Sequence, residues 1–210
     1  NPTGTLVPRA QLEAIAEFVA TRAGVLIVDE TYQGLVYGSA PRTAADLPGD
    51  VVIVNSFSKY FCMTGWRIGW AVLPSARLRE FERLAQHFFI CPSTIAQRAA
   101  IAAFLPESIR ILEERRREFQ RRRDFLVPAV RRAGLSVPAE PEGAFYVYAD
   151  CSRFGDARRF ALDLLQQEGV ALTPGTDFGR NGAAHFVRLS YTRAFADIEE
   201  AAARLARYCG

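Results

Sequence analysis

A chain of 210 residues that is 50% hydrophobic and 23% charged carries enough apolar material for a sizeable core, which excludes an intrinsically disordered segment. Its 26 Lys and Arg residues against 23 Asp and Glu leave a formal charge of +3, too small an excess to mark a nucleic-acid surface by composition. No apolar run approaches the roughly 18 residues of a membrane span, and the four cysteines (Cys62, Cys91, Cys151, Cys209) form no CxxC pair and sit among two histidines, so neither a disulfide framework nor a metal site is expected.

Residues 8–24, PRAQLEAIAEFVATRAG, place Pro8 near the start, Leu12, Ile15, Ala16 and Val19 on one face, and Gly24 at the stop, which predicts a helix. Two β-branched apolar runs follow, GVLIVDE at 24–30 and VVIVNSFS at 51–58, each read as a parallel-type strand covered on both faces. A third run, RIGWAVLP at 67–74, leads into SARLREFERLAQHF, where Leu78, Phe81, Leu84 and Phe88 mark a helical face and His87 reads as a packed histidine. Helix alternating with strand gives an α/β class. From Glu107 the texture becomes a long charged helix that stops at Gly134, with Ile109, Leu112, Phe119 and Leu126 as its apolar positions. Its arginines are interleaved with acids, and the i,i+4 pairs of Glu113 with Arg117 and Glu118 with Arg122 predict a solvated face rather than a nucleic-acid site. Three further strand-like segments, GAFYVYAD (143–150), GVALTPG (169–175) and HFVRLSYT (185–192), lie with the helical patterns RFALDLLQQEG and FADIEEAAARLARY, a small α+β domain.

The cysteine usage fits a reducing compartment, the cytoplasm, and no membrane partner is expected. Met63 is the single methionine, so a chain opening on Asn1 is expected to be part of a longer polypeptide.

Four features stand in a suggestive order: NPTG at 1–4, Asp29-Glu30-Thr31-Tyr32 after the first strand, Ser56-Phe57-Ser58-Lys59 after the second, and Gly65-Trp66-Arg67-Ile68-Gly69, with Arg67 eight residues beyond the lysine. Ligands of open α/β sheets bind outside the carboxyl ends of strands, where Asp29 and Lys59 fall. A carboxylate and a lysine converging there, with serines and an arginine beside them, suit a phosphorylated aldehyde cofactor. Taken singly, Lys59 reads as a surface lysine, Asp29 and Tyr32 as a strand-end acid and a core tyrosine, and Arg188 as an outward-facing strand residue; the joint spacing is what argues for chemistry.

These motifs resemble the class I/II aminotransferases of the aspartate aminotransferase fold, fold type I. The stretch SFSKYFCMTGWRIG matches that family's lysine signature nearly throughout, with Cys62 standing where the family usually carries a small residue. The resemblance implies pyridoxal 5'-phosphate as cofactor. It implies that Lys59 forms the Schiff base and shuttles a proton, that Asp29 pairs with the pyridine nitrogen, and that Tyr32 and the amide of Asn1 hydrogen-bond the ring's 3'-oxygen. Arg67 with Ser56 would grip the phosphate, Ser58 being a further donor for the same job, and Arg188 would take the α-carboxylate of amino acid and 2-oxo acid substrates. The implied fold is a partial large-domain sheet of three strands, the last antiparallel, in residues 1–105, with a long connecting helix and a small C-terminal domain in 106–210. The family is about twice this length and forms homodimers, so the 210 residues alone are expected to be inactive. A carbon–sulfur β-lyase would use the same Lys59, Asp29 and Arg188, and some transcription regulators carry an aminotransferase-like effector domain; the NPTG and the complete lysine signature favour an aminotransferase.

Overall fold

The computed structural model describes residues 1–38 and 42–210. Leu6–Arg116 form one compact unit, and Asn1–Thr5 with Arg117–Gly210 form another.

In the first unit, helix α1 (Arg9–Ala20) precedes strands β1 (Leu26–Asp29), β2 (Val51–Ser56) and β3 (Gly69–Val72). The sheet order is β1-β2-β3, β1 pairing parallel and β3 antiparallel to β2, so the α/β class and the antiparallel third strand match the expectation from sequence. One face is covered: Ala16, Ala44, Leu47 and Ile53 are buried together, with Leu12, Leu26, Val28 and Val51 packed against them. The other face is largely open, Ile27 and Val54 being 66% and 40% exposed, with Val52 buried between them. The two-sided coverage read from the β-branched runs is therefore corrected for this chain, because α1 and the 44–47 turn lie on a single side.

Helix α2 (Leu78–Phe88) has its apolar stripe but buries no residue, and His87 is exposed rather than packed. Helix α3 (Thr94–Ala103) was not anticipated; Ala96, Ala100 and Ala103 do its packing, and alanines give a weak periodic signal. Ala100 and Ala103 join Phe57 and Met63 in a second cluster. Around it Phe57 meets Phe61, Trp70 and Phe104 at ring-centroid distances of 4.7, 5.0 and 5.6 Å. This cluster anchors the segment that follows β2.

In the second unit, strands β4 (Tyr146–Asp150), β5 (Thr173–Pro174) and β6 (Phe186–Ser190) form an antiparallel sheet of order β4-β6-β5. Val147, Ala149, Val187 and Leu189 are buried, as are Phe160 and Leu164 of helix α5 (Ala157–Glu168) and Ile198 and Leu205 of helix α6 (Phe195–Cys209). The strand period of two then sets Tyr148 and Arg188, direct cross-strand partners, on the opposite face. Asp156 caps α5 by accepting from the N–H groups of Arg158 and Arg159, and Gly169 ends it at φ +68°.

Helix α4 (Pro106–Arg132) supplies residues to both units. Its pairs are largely within the helix: Glu118 accepts from Arg122 as expected and also from Arg121, both at 2.8 Å. These bonds, Arg121's first, hold its carboxyl at about 2. Glu113 takes Arg116 at i,i+3 where Arg117 was expected. Among the described residues no helix is long and apolar enough to cross a membrane, and no group of three His, Cys, Asp or Glu side chains is placed to hold a metal ion.

Candidate active site

In the unit of Leu6–Arg116, pairing of Asp29 with Val54 in the β1–β2 register brings the ends of two adjacent parallel strands level. The Glu30 N–H still donates to Val54 O at 2.8 Å, and the chain then turns. The two neighbouring acids are used differently. Glu30 accepts from Thr43 Oγ1 and from the N–H of Ala44 at 2.6 Å, which ties it to the 43–44 turn. Asp29 Oδ1 accepts the N–H of Thr31 at 2.9 Å, while its second oxygen has no hydrogen-bond partner among the described residues. That bond fixes the carboxylate's orientation and leaves one oxygen open.

Beyond β2 the chain closes a compact loop. Phe57 N–H donates to Ile68 O at 3.1 Å, Met63 N–H to Phe57 O at 3.0 Å, and Cys62 N–H to Lys59 O at 3.0 Å. Thr64 Oγ1 donates to Ser58 O at 2.6 Å, and Ser56 Oγ accepts from Ser58 N–H at 3.0 Å, so the Ser56 hydroxyl proton stays available to another acceptor. The loop brings Lys59 Nζ to 5.7 Å from the centroid of the Tyr32 ring. Arg67 is exposed at φ +53°, and its Nη1 donates to Thr64 O at 3.0 Å. Gly69, which follows, allows the close approach of β3 to β2: a Cβ there would lie 2.5 Å from Asn55 O.

In the other unit, Arg188 Nη1 donates to Asn1 Oδ1 at 2.9 Å. The terminal segment carrying Asn1 is tied down by Gly4 O, which accepts the N–H groups of Glu142 and Gly143 at 2.9 and 3.0 Å. The Arg188 guanidinium lies over the rings of Phe178 and Tyr146, 4.5 and 5.1 Å from their centroids. Its Nε is buried without a partner, which among the described residues marks it as a donor awaiting an acceptor. A half-buried cation walled by aromatic faces and holding open donors is built for a planar anion such as a carboxylate.

The profile of the family described as aminotransferase class I and II matches residues 1–205. The chain belongs to that family. It is 42% identical over 208 residues to the valine–pyruvate aminotransferase of Mycobacterium tuberculosis, covering 98% of this chain and 54% of that one. It is 35% identical over 211 residues to the aspartate aminotransferase of Pyrococcus abyssi, covering 98% and 54%. Among solved structures, an aminotransferase from Mycobacterium tuberculosis superposes with a TM-score of 0.95 at 42% identity, covering 99% of this chain and 55% of that chain. The chain thus spans about half the length of the curated relatives it matches.

Two features of this aminotransferase chain escaped the motif. Phe178, under the Arg188 guanidinium, sits in an irregular turn where neither helical nor strand periodicity points to it. The other lies in plain composition: Lys59 is the single lysine among the 26 basic residues. Arginine stays protonated at any working pH, so Lys59 is the one side-chain amine this chain offers to an aldehyde.

Proposed function

We propose that the full-length protein is an aminotransferase that moves an amino group from an L-amino acid to a 2-oxo acid, with pyridoxal 5'-phosphate held at Lys59. The observation that carries this reading is the single lysine amine beside Tyr32, on the loop leaving β2, while Asp29 ends the adjacent parallel strand with an open carboxylate oxygen. The donor set fits the cofactor group by group: an amine for the aldehyde, a carboxylate for the ring nitrogen, and the hydroxyls of Ser56 and Ser58 with the Arg67 guanidinium for the phosphate. Bound there, the cofactor supplies an aldehyde carbon for amine exchange and a ring that withdraws electrons from the substrate α-carbon.

In this reading Lys59 Nζ would take the proton from the substrate α-carbon and give it back at the cofactor's aldehyde carbon, a general base and then a general acid. The Asp29 carboxylate keeps the ring nitrogen protonated. The Tyr32 hydroxyl and the Asn1 amide donate to the ring oxygen, and Arg188 grips the α-carboxylate in two bonds that fix the α-C–H for cleavage. The whole protein works as a homodimer in the cytoplasm.

With purified full-length protein, amino-group transfer that requires both an L-amino acid and a 2-oxo acid is the expected result. Oxo-acid-independent release of pyruvate would replace this reading with β-elimination, and no turnover of either kind would end it. Arg188→Lys is expected to raise the amino-acid KM by about 10²-fold, because lysine loses the bidentate fork, each charge-assisted bond contributing about 1.5–3 kcal/mol. The cofactor absorbance should stay unchanged in that variant. The 210 residues expressed alone are expected to be inactive and to give no new visible absorbance with pyridoxal 5'-phosphate. The support is the uncovered apolar surface of Leu6–Arg116, including Ile27, Phe88, Ile90 and Ile95, which is 66%, 80%, 78% and 72% exposed.

A further inference from the structure

The residue after Lys59 has an unusual setting. The Tyr60 ring rests on Gly34 so closely that a Cβ at position 34 would lie 2.4 Å from Tyr60 Cγ. The hydroxyl at the far end donates to Glu113 Oε1 at 2.8 Å. The other carboxylate oxygen of Glu113 accepts from Arg116 Nε at 2.8 Å, and Arg116 Nη1 donates to Val36 O at 3.0 Å. The path leaves the segment after Tyr32 through Gly34, runs through Tyr60, Glu113 and Arg116, and returns to the same segment at Val36. It is a closed ring of contacts inside one compact unit.

A ring of this kind does what a single hydrogen bond does not. It sets both the distance and the rotation of the Lys59 loop against the turn that carries Asp29 and Tyr32, because a shift of either breaks bonds at more than one point. Burial and the Glu113 carboxylate push the Tyr60 phenol up to about 12, so Tyr60 stays protonated and donates throughout the working pH range. The Arg116 side chain is 20% exposed and that of Glu113 34%, so water screens the pair only in part. Packing alone would be met by phenylalanine at position 60; the hydroxyl and its charged acceptor are what packing leaves unexplained.

We propose that Tyr60, Glu113 and Arg116 are positioning residues that hold the Lys59 amine in register with the 29–32 turn, so that the first half of helix α4 sets the spacing of the cofactor's two attachment points. This rests on the function proposed above. In the full-length protein Tyr60→Phe, which keeps the ring on Gly34 and removes the hydroxyl, is expected to weaken pyridoxal 5'-phosphate binding about tenfold, the effect of one bond to a charged acceptor. It should also lower kcat by a similar factor, leave the amino-acid KM within about twofold, and move the midpoint of the pH titration of the cofactor's visible band. Glu113→Ala should do the same, and Glu113→Gln, which keeps an oxygen for Tyr60, should recover part of the loss.

A second readout needs no cofactor: the rate of reductive methylation of Lys59, followed by peptide mass spectrometry in cofactor-free protein, should change severalfold in Tyr60→Phe and Glu113→Ala. Lower melting temperatures with unchanged cofactor affinity, titration midpoint and Lys59 methylation rate would reduce the ring to ordinary packing and overturn the proposal. Wild-type protein that shows no borohydride-sensitive band with pyridoxal 5'-phosphate would instead overturn the function reading. The methylation rates would then still decide whether the ring positions Lys59.

Discussion

Lys59→Ala in the full-length protein is expected to lower the rate of amino transfer by at least about 10⁴-fold, since in the function proposed above one residue acts both as the covalent attachment point and as the proton shuttle. Lys59→Arg should fare no better, although it keeps the charge, because a guanidinium is neither a nucleophile nor a proton acceptor at neutral pH. The chain itself has run that comparison: its basic residues other than Lys59 are all arginine. Where a cation serves an ion pair, as Arg122 serves Glu118, arginine is used; lysine stands at the one position where the proposed function asks an amine to lose its proton. Single-turnover measurement of oxo-acid formation, with cofactor supplied in excess, separates this loss from weaker cofactor binding. Residual turnover of a tenth of the wild-type rate in Lys59→Ala would remove Lys59 from the chemistry.

How far the sequence reaches depends on what each element answers to. Strands β1, β2, β4 and β6 fall inside the segments that the sequence marked, because β-branched residues in the first two, and aromatic residues with valine in the others, favour an extended chain. The segment 169–175 narrows to Thr173–Pro174, since its apolar residues line the edge of a sheet instead of filling its middle. Helix α3 stayed hidden because its contacts are made by alanines, whose burial depends on the tight approach of Phe57 and Met63. The open face of the β1-β2-β3 sheet shows the opposite failure: Ile27 and Val54 state correctly that they are apolar, and nothing local tells whether another layer covers them.

The site divides along the same line. The lysine motif placed Lys59 near Tyr32, and the structure brings them within 5.7 Å, because both lie within a few residues of paired strand ends. The contact of Arg188 with Asn1 joins residues 187 positions apart, and the ring through Gly34, Tyr60, Glu113 and Arg116 joins residues up to 80 apart. No periodicity encodes such contacts. The replacement of Arg117 by Arg116 as the partner of Glu113 has the same origin: the helix offers both, and the Tyr60 hydroxyl and the Val36 carbonyl decide the side on which Glu113 lies.

Asp29→Ala is expected to cost about 10²–10³-fold in kcat at neutral pH and, more tellingly, to give the reaction a pH dependence it otherwise lacks. A carboxylate beside a ring nitrogen raises that nitrogen's pKa by stabilising its protonated form, by about one to three units when close. Removing it lowers the pKa, so the protonated fraction at neutral pH falls by the corresponding factor. Solvent can replace the missing proton only in acid. The variant's rate should therefore climb about tenfold for each unit of acidification until the lowered pKa is reached, whereas wild-type protein shows no such limb. Asp29→Glu keeps the charge but moves it by one methylene, and the bond from Thr31 that orients the carboxylate at 2.9 Å is then lost or bent, so an intermediate rate with a flat profile is expected. A slow Asp29→Ala variant with a flat profile would assign Asp29 to shaping the 29–32 turn and not to the ring nitrogen. The slope against pH, more than the size of the loss, is what separates a charge partner from a structural one.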